Sequence, residues 1–246
     1  ALSWVFTLYV LGNLIGTPLM AKLSDWFGRR AIYTLDVGLF AVGSLVVALS
    51  HGTAAFWLLM LGRAVQGLGA GGIFPVASAV IGDTFPPERR GRALGLIGAV
   101  FGLAFLIGPI VGGLLLPLGW PWLFYLNLPI AAVVIVLGWR LLPAEPVARG
   151  ARFDLMGMAV LGVALAGLAL GVSDLDTSRL GASLASPPVF VPLLISVLAW
   201  VVLLWHERRV ADPVFPAGLL RNRQLAVAFG LTAGAGLGEA SLVFMP

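Results

Sequence analysis

The stretch LLMLGRAVQGLGAGG, residues Leu58 to Gly72, sets one arginine and several glycines inside a long apolar run. The run extends from Ala54 to Ile81, which exceeds the roughly 20 apolar residues that cross a bilayer as a helix. Arg63 lies about ten residues from one end of the run, where a charged side chain costs about 3 kcal/mol to insert. We therefore expect Arg63 to face the interior of a helix bundle, with a carboxylate, a substrate or water as its partner.

The residues that follow Arg63 favour a packed and functional helix. Gln66 lies three positions later and so shares a helix face with Arg63. Small residues that allow close approach of a second backbone are Gly67, Gly69, Gly71 and Gly72. Two interpretations of Arg63 remain open, a static structural pair and a functional role, and we favour the functional role.

The whole chain has the composition of a polytopic membrane protein. Of its 246 residues, 60% are hydrophobic and only 11% are charged, about half the charged share of a soluble domain. A single soluble core cannot bury so much apolar surface, and a disordered chain is excluded by the same figures. The runs are long and continuous, which also excludes a β-barrel. We predict an all-α polytopic bundle of about eight transmembrane helices, at Leu2 to Leu23, Ala31 to Ser50, Ala54 to Ile81, Ala93 to Leu116, Trp122 to Leu142, Leu155 to Val172, Val189 to Trp205 and Leu225 to Pro246.

Basic residues mark every second loop. Regions 22–31, 82–93, 140–154 and 206–224 together hold 13 of the 15 Lys and Arg residues. The positive-inside rule places these loops in the cytoplasm and both chain ends on the outer face of a cell membrane. The net charge of +4 is then an orientation signal, and we expect no nucleic-acid partner.

The sequence lacks the side chains that several kinds of chemistry need. It has no Cys and only two His, His51 and His206, so thiol chemistry is excluded and an all-His metal site is not expected. No predicted span holds a His, and no Ser has an evident base partner. We therefore expect neither an enzyme nor a bound metal or cofactor.

The loop after the first span, AKLSDWFGRR from Ala21 to Arg30, combines one acid, one glycine and two arginines. Asp25 can accept hydrogen bonds from an arginine or from a helix N-terminus, and Gly28 permits a tight turn. Arg29 and Arg30 can hold the aspartate or anionic lipid head groups. The residues alone fit a helix-pinning motif and an ordinary basic loop about equally.

The fourth span carries the pattern GLIGAVFGLAFLIGPIVGG, Gly95 to Gly113. The small-xxx-small spacing that brings membrane helices together occurs twice, at Gly98 with Gly102 and at Gly108 with Gly112. Pro109 frees a backbone carbonyl and predicts a bend. We expect a tightly packed, bent helix.

These three motifs resemble those of the major facilitator superfamily, and most closely its drug:proton antiporter branch with fourteen helices. The family's loop signature, G-x-L-a-D-R-x-G-R-K, is matched at Asp25, Gly28, Arg29 and Arg30, with Ala21 and Trp26 as departures. Its R-x-x-Q-G-x-G signature is matched at Arg63, Gln66, Gly67 and Gly69. Its antiporter signature is matched at Gly95, Gly108, Pro109, Gly112 and Gly113, with Ala104 in place of a glycine.

The resemblance implies an incomplete bundle of the major-facilitator type, about helices two to nine of fourteen. Ala1 would begin the second helix, and five more helices would follow Pro246. The expected parts are an N-terminal bundle without its first helix (1–142), a cytoplasmic linker (143–154), two extra central helices (155–205), a second linker (206–223) and the first helix of the C-terminal bundle (224–246).

The resemblance also implies a secondary transporter that works by alternating access. Arg63, with Gln66 and Gly67, would couple protonation to the efflux of drug-like, hydrophobic or cationic molecules. The Asp25 loop would form the cytoplasmic gate, and the Gly95 to Gly113 helix would seal and bend. Its partners would be a small-molecule substrate, protons and the lipid bilayer, and the full-length protein would be a monomer driven by the proton gradient without a cofactor. The alternatives are a proton-coupled metabolite symporter and an inactive truncated fragment.

Two acids lie inside predicted spans. Glu239, in the last span, could bind a cation or carry a proton, since burial makes a carboxylate protonatable. Asp36 lies near the basic end of the second span, and for it we favour an ion pair with Arg29, Arg30 or another loop base.

Overall fold

The computed structural model describes residues 2–50, 55–144, 154–176, 179–210, 214 and 223–243, and these ranges contain helices but no strand. The helices are α1 (Leu2–Phe27), α2 (Arg29–Ala48), α3 (Ala55–Thr84), α4 (Pro87–Leu115), α5 (Trp122–Tyr125), α6 (Asn127–Leu141), α7 (Leu155–Ser173), α8 (Leu180–Leu184), α9 (Pro187–Glu207) and α10 (Arg223–Val243). A 3-10 turn, Leu116–Leu118, follows α4.

Seven crossings in the described ranges are long and apolar enough to span a membrane. They coincide with the first seven predicted runs and confirm an all-α, multi-pass membrane protein. The eighth run is helical as α10, although many of its side chains fall outside the described residues. The fifth crossing is divided into α5 and α6 at Leu126. Pro129 explains the break, because it has no N–H to donate to the carbonyl of Tyr125.

Helix α3 lies between α1 and α2 and touches both at backbone distance. On one face, a side-chain carbon on Gly67 would overlap the Tyr9 carbonyl oxygen of α1. On the other face, a carbon on Gly69 would overlap the Asp36 carbonyl oxygen of α2, and a carbon on Gly72 would overlap the Asp36 carboxyl group. The close approach predicted at the α3 glycines is confirmed, and partner glycines continue both contacts: Gly12 and Gly16 on α1, and Gly43 on α2.

A second packing unit is the hairpin of α7 and α9. The Ser196 hydroxyl donates to the Ala164 carbonyl at 2.7 Å, and Gly167 lies against the backbone of Pro192. The hairpin meets α1 where the Thr7 and Ser173 hydroxyls lie 3.3 Å apart. Within the described residues, the hairpin therefore packs on α1 through α7.

The contacts also show which helix ends lie together. The end of α1, the start of α2 and the end of α3 meet at one end of the bundle, through Arg29. The end of α6 joins them, since Trp139 lies against Arg30. We call this the basic end. The start of α1 lies at the opposite end.

Helix α4 departs from its prediction. It has no buried residue, and side-chain carbons on its glycines would meet nothing within 4 Å, which holds for Gly95, Gly98, Gly102, Gly108, Gly112 and Gly113. The tight packing expected for this helix is therefore absent among the described residues. The small-xxx-small spacing provides a surface for close packing, and no described helix occupies that surface.

We predict that Gly67→Ala in the natural full-length protein lowers the free energy of unfolding by about 1–3 kcal/mol, because overpacking forces the backbones apart. The thermal unfolding midpoint in detergent measures the loss. Gly38→Ala is the matched control, because a carbon there meets nothing within 4 Å and alanine favours helix. An equal midpoint for the two variants would contradict backbone contact between α3 and α1.

Candidate functional site

A polar network crosses the bundle from Arg63. Its Nη1 donates to Gln66 Oε1 at 2.6 Å, and Gln66 Nε2 donates to the Ser44 hydroxyl at 2.8 Å. Asn127 Nδ2 also donates to Ser44, at 3.3 Å. The Ser44 hydroxyl donates in turn to the carbonyl of Phe40. Because each of these donors meets an acceptor, the series of hydrogen bonds fixes the position of the Arg63 side chain relative to α2, α3 and α6.

Aromatic and backbone groups hold the rest of the Arg63 side chain. Its Nε donates to the Val5 carbonyl at 3.1 Å. The guanidinium lies 4.2 Å from the centre of the Tyr9 ring and 6.0 Å from that of Phe124. Cation–π contacts of this kind contribute about 0.5–2 kcal/mol, and more when desolvated. They offset part of the cost of placing the charge at membrane depth.

Arg63 forms no ion pair with any residue that the structure describes. The carboxylate that the sequence offered as one partner for Arg63 is therefore absent from the described residues. Its neighbours are an amide, a backbone carbonyl and aromatic rings, so the guanidinium keeps its positive charge available to the adjoining cavity.

The cavity beside Arg63 has a volume of about 690 Å³ and lies at the opposite end from the basic end. Val5 and Phe6 of α1, together with Phe56 of α3, form much of its apolar wall. Arg63 is the one charged residue among the described residues that line it. Such a mostly apolar space with few polar groups is typical of a small-molecule site.

Ion pairs join three helices at the basic end. Arg29 Nη1 lies 2.5 Å from Asp25 Oδ1, and Arg29 Nε lies 3.0 Å from Asp83 Oδ2. The same guanidinium donates to the Ser24 hydroxyl at 2.6 Å. Gly28 joins α1 to α2 with a φ of 93°, a conformation that favours glycine. The helix-pinning interpretation of the Asp25 loop is thus realised geometrically, and we call this cluster the latch.

The sequence did not predict a role for Asp83 in this cluster. The signal for it was an acid at the end of the third span, on the side where the Asp25 loop also lies. Its sequence distance from Arg29 hid the pairing, which only the packing of α2 on α3 creates. The sequence did not predict Ser44 or Asn127 as site residues either, because packing between helices brings Ser44 to Gln66 and Asn127 to Ser44.

Arg30 does not join the latch. Its guanidinium lies 4.3 Å from the centre of the Trp139 ring on α6. Of the four loop residues that were predicted together, Asp25 and Arg29 are in contact around the Gly28 turn. The Arg30 side chain instead contacts α6.

The remaining predicted site residues are not assembled with Arg63. Gly95, Gly108, Pro109, Gly112 and Gly113 lie on α4, which packs little on the rest of the bundle. Glu239 belongs to the helical span of α10, and its side chain lies outside the described residues. The linker predicted at 143–154 lies largely outside them as well, and so does that at 206–223.

A further polar contact closes the α7–α9 hairpin. His206 Nε2 lies 2.9 Å from Asp154 Oδ1, and the Asp154 side chain also caps α7 by accepting from the Gly157 N–H at 2.8 Å. This pairing was not predicted, because Asp154 was placed in a linker. No group of three potential metal-ligating side chains occurs in the described ranges.

Comparison with known proteins gives a family and several relatives. The profile described as Major Facilitator Superfamily matches residues 1–245. The uncharacterized MFS-type transporter YfiU of Bacillus subtilis (strain 168) is 38% identical, over 99% of this chain and 48% of its own length. Multidrug resistance protein 3 and the multidrug transporter protein MdtP, of the same strain, are each 30% identical, over 92% and 90% of this chain and 43% and 40% of their own lengths. The chain spans about half the length of these relatives, or less.

We predict that Gln66→Leu lowers the free energy of unfolding by about 1–3 kcal/mol, because Arg63 loses an acceptor and Ser44 a donor in a buried setting. Gln66→Glu is the matched variant, because its carboxylate still accepts from Arg63 as a charge-assisted bond. Thermal unfolding of both variants in the full-length protein measures the difference. If Gln66→Leu were as stable as the wild type, the network would not hold Arg63.

Proposed function

Because the chain belongs to the major facilitator superfamily, we propose that the full-length protein is a carrier rather than an enzyme, and that it exports drug-like, hydrophobic or cationic molecules in exchange for protons. The mechanism would be alternating access, in which two bundles rock around a central site. The relatives named for multidrug resistance and multidrug transport support the substrate class.

One observation carries the proposal: Arg63 is a charged group at membrane depth that lines a cavity without an ion pair among the described residues. A charged side chain that is costly to insert and is held in place by polar contacts is a candidate functional residue by default. In the proposed cycle, Arg63 responds to the protonation of a carboxylate or to a bound substrate, because either changes the charge that faces it. Glu239 is our proposed carboxylate on the C-terminal side.

The position of the latch supports the proposal of alternating access. It joins α1, α2 and α3 at the basic end, while the Arg63 cavity opens at the other end. If the basic loops are cytoplasmic, we propose that the intact latch belongs to a state that is closed toward the cytoplasm and open outward. Release of Arg29 from Asp25 and Asp83 would accompany inward opening. The α4 glycine surface would pack against the other bundle, where Pro109 would help the helix to bend.

We predict that Arg63→Ala lowers proton-driven export of a lipophilic cationic dye, ethidium, by about tenfold or more, equivalent to about 1.4 kcal/mol. The measurement uses inside-out vesicles that contain the full-length protein and an imposed proton gradient, which drives ethidium into the vesicle lumen. Arg63→Lys keeps the charge but loses the planar geometry, so we expect intermediate export. Unchanged proton-driven transport in Arg63→Ala would contradict the role of Arg63. Ethidium movement in the same direction as the protons would contradict antiport.

We predict that Asp83→Asn changes export several-fold but changes the unfolding free energy by less than about 1 kcal/mol. Exposed ion pairs add little stability, and Asp83 is 40% exposed, whereas the latch is proposed to set the balance between the two open states. Asp174→Asn at the opposite end is the control and is expected to leave export unchanged. Equal export rates for Asp83→Asn and the wild type would remove the latch from the mechanism.

A further inference from the structure

Asp36 is a fully buried acid on α2 that the transport proposal does not use. Its relative exposure is 0%, and neither carboxyl oxygen has a hydrogen-bond partner in the part of the chain that the structure describes. It lies seven residues after the start of α2, roughly 10 Å along the helix axis. The carboxyl group packs flat against the backbone of Gly72 on α3, where any side chain would overlap it.

The ion pair expected for Asp36 with a loop base is wrong. Arg29 is engaged by Asp25 and Asp83, and Arg30 lies over the ring of Trp139. The helix geometry explains the error: Asp36 points into the contact between α2 and α3, while the two arginines point toward the basic end.

The groups around Asp36 offer it no compensating charge. Among the described residues, Tyr33, one turn earlier on α2, is the one ionisable group that interacts with it electrostatically. The elements that pack on α2 carry other ionisable side chains, none of which forms a hydrogen bond or an ion pair with the Asp36 carboxyl: Tyr9, Lys22 and Asp25 on α1, Arg63 and Asp83 on α3, Tyr125 on α5 and Arg140 on α6.

A carboxylate in this position would be strongly unfavourable. An isolated buried charge costs so much free energy that the group takes up a proton instead. The neutral acid removes that cost and fits the space beside Gly72. Charge on Asp36 requires water or a cation, and neither can reach it while the two helix backbones remain in contact.

We propose that Asp36 is a proton-binding site, separate from the Arg63 network, which keeps its proton while α2 and α3 touch at Gly72 and exchanges it when that contact opens. On exchange, the carboxyl O–H bond breaks, the proton passes to water, and the negative charge stays on the carboxylate. The site therefore links protonation to the separation of these two helices. It stands whether or not the protein exports drugs.

Infrared spectroscopy of the purified full-length protein in lipid nanodiscs tests this site without any transport assay. At pH 7 we expect a carbonyl band of a protonated carboxylic acid that shifts when aspartate carboxyl groups are labelled with ¹³C. The band is lost in Asp36→Asn, whose neutral amide fills the same space, and is kept in Asp174→Asn. It shifts slowly in deuterated water, because exchange must wait for the helices to separate.

Each readout can overturn the proposal. The absence of a ¹³C-sensitive acid band at pH 7 in the wild type would show that Asp36 is ionised, and this result needs no variant to fold. A band that persists in a folded Asp36→Asn protein would assign the proton to another aspartate. Complete deuterium exchange within the mixing time would show that the contact with Gly72 does not control access.

Discussion

The backbone contact that α3 makes with both α1 and α2 is the constraint on which the rest of the structure depends. Side chains normally keep membrane helices farther apart, but glycines on both faces of α3 remove that spacer, at Gly67 toward α1 and at Gly69 toward α2. Association in lipid gains little from the hydrophobic effect, so close packing must supply the stabilisation. The glycines on the two faces of α3 therefore allow α1, α2 and α3 to pack closely together.

That packing decides how each intramembrane charge is accommodated. Close approach of α1 brings the Tyr9 ring and the Val5 carbonyl to Arg63, and close approach of α2 brings Ser44 within reach of Gln66. The same contact buries Asp36, whose carboxyl group has no hydrogen-bond partner among the described residues. At the basic end, where water is available, Arg29 instead forms ion pairs with two acids. The environment of each charged group therefore depends on its depth in the membrane. Arg63 is held by polar groups and aromatic rings, the buried Asp36 carboxyl group is favoured as a neutral acid, and Arg29 forms ion pairs near the surface.

The sequence predicted what depends on composition and on neighbours along one helix. The spans follow from continuous apolar length, and the pairing of Arg63 with Gln66 follows from their spacing of three residues. Contacts between helices were harder to predict. Asp83, Ser44 and Asn127 join the clusters through packing that no local pattern encodes, and the α5–α6 break at Leu126 depends on one proline in an otherwise apolar run. The expected close packing of α4 is absent among the described residues, because glycine spacing indicates a surface for a partner but does not supply the partner. Asp36 was assigned to a loop base by proximity along the chain, whereas its rotation on α2 turns it toward α3.

A density map of the full-length protein in a lipid nanodisc, at a resolution that shows side chains, tests the central claim most directly. We predict α3 in backbone contact with α1 at Gly67 and with α2 at Gly69, the Arg63 guanidinium over the Tyr9 ring, and Gln66 between Arg63 and Ser44. A map in which side chains separate α3 from either neighbour, or in which Arg63 reaches into lipid, would contradict it.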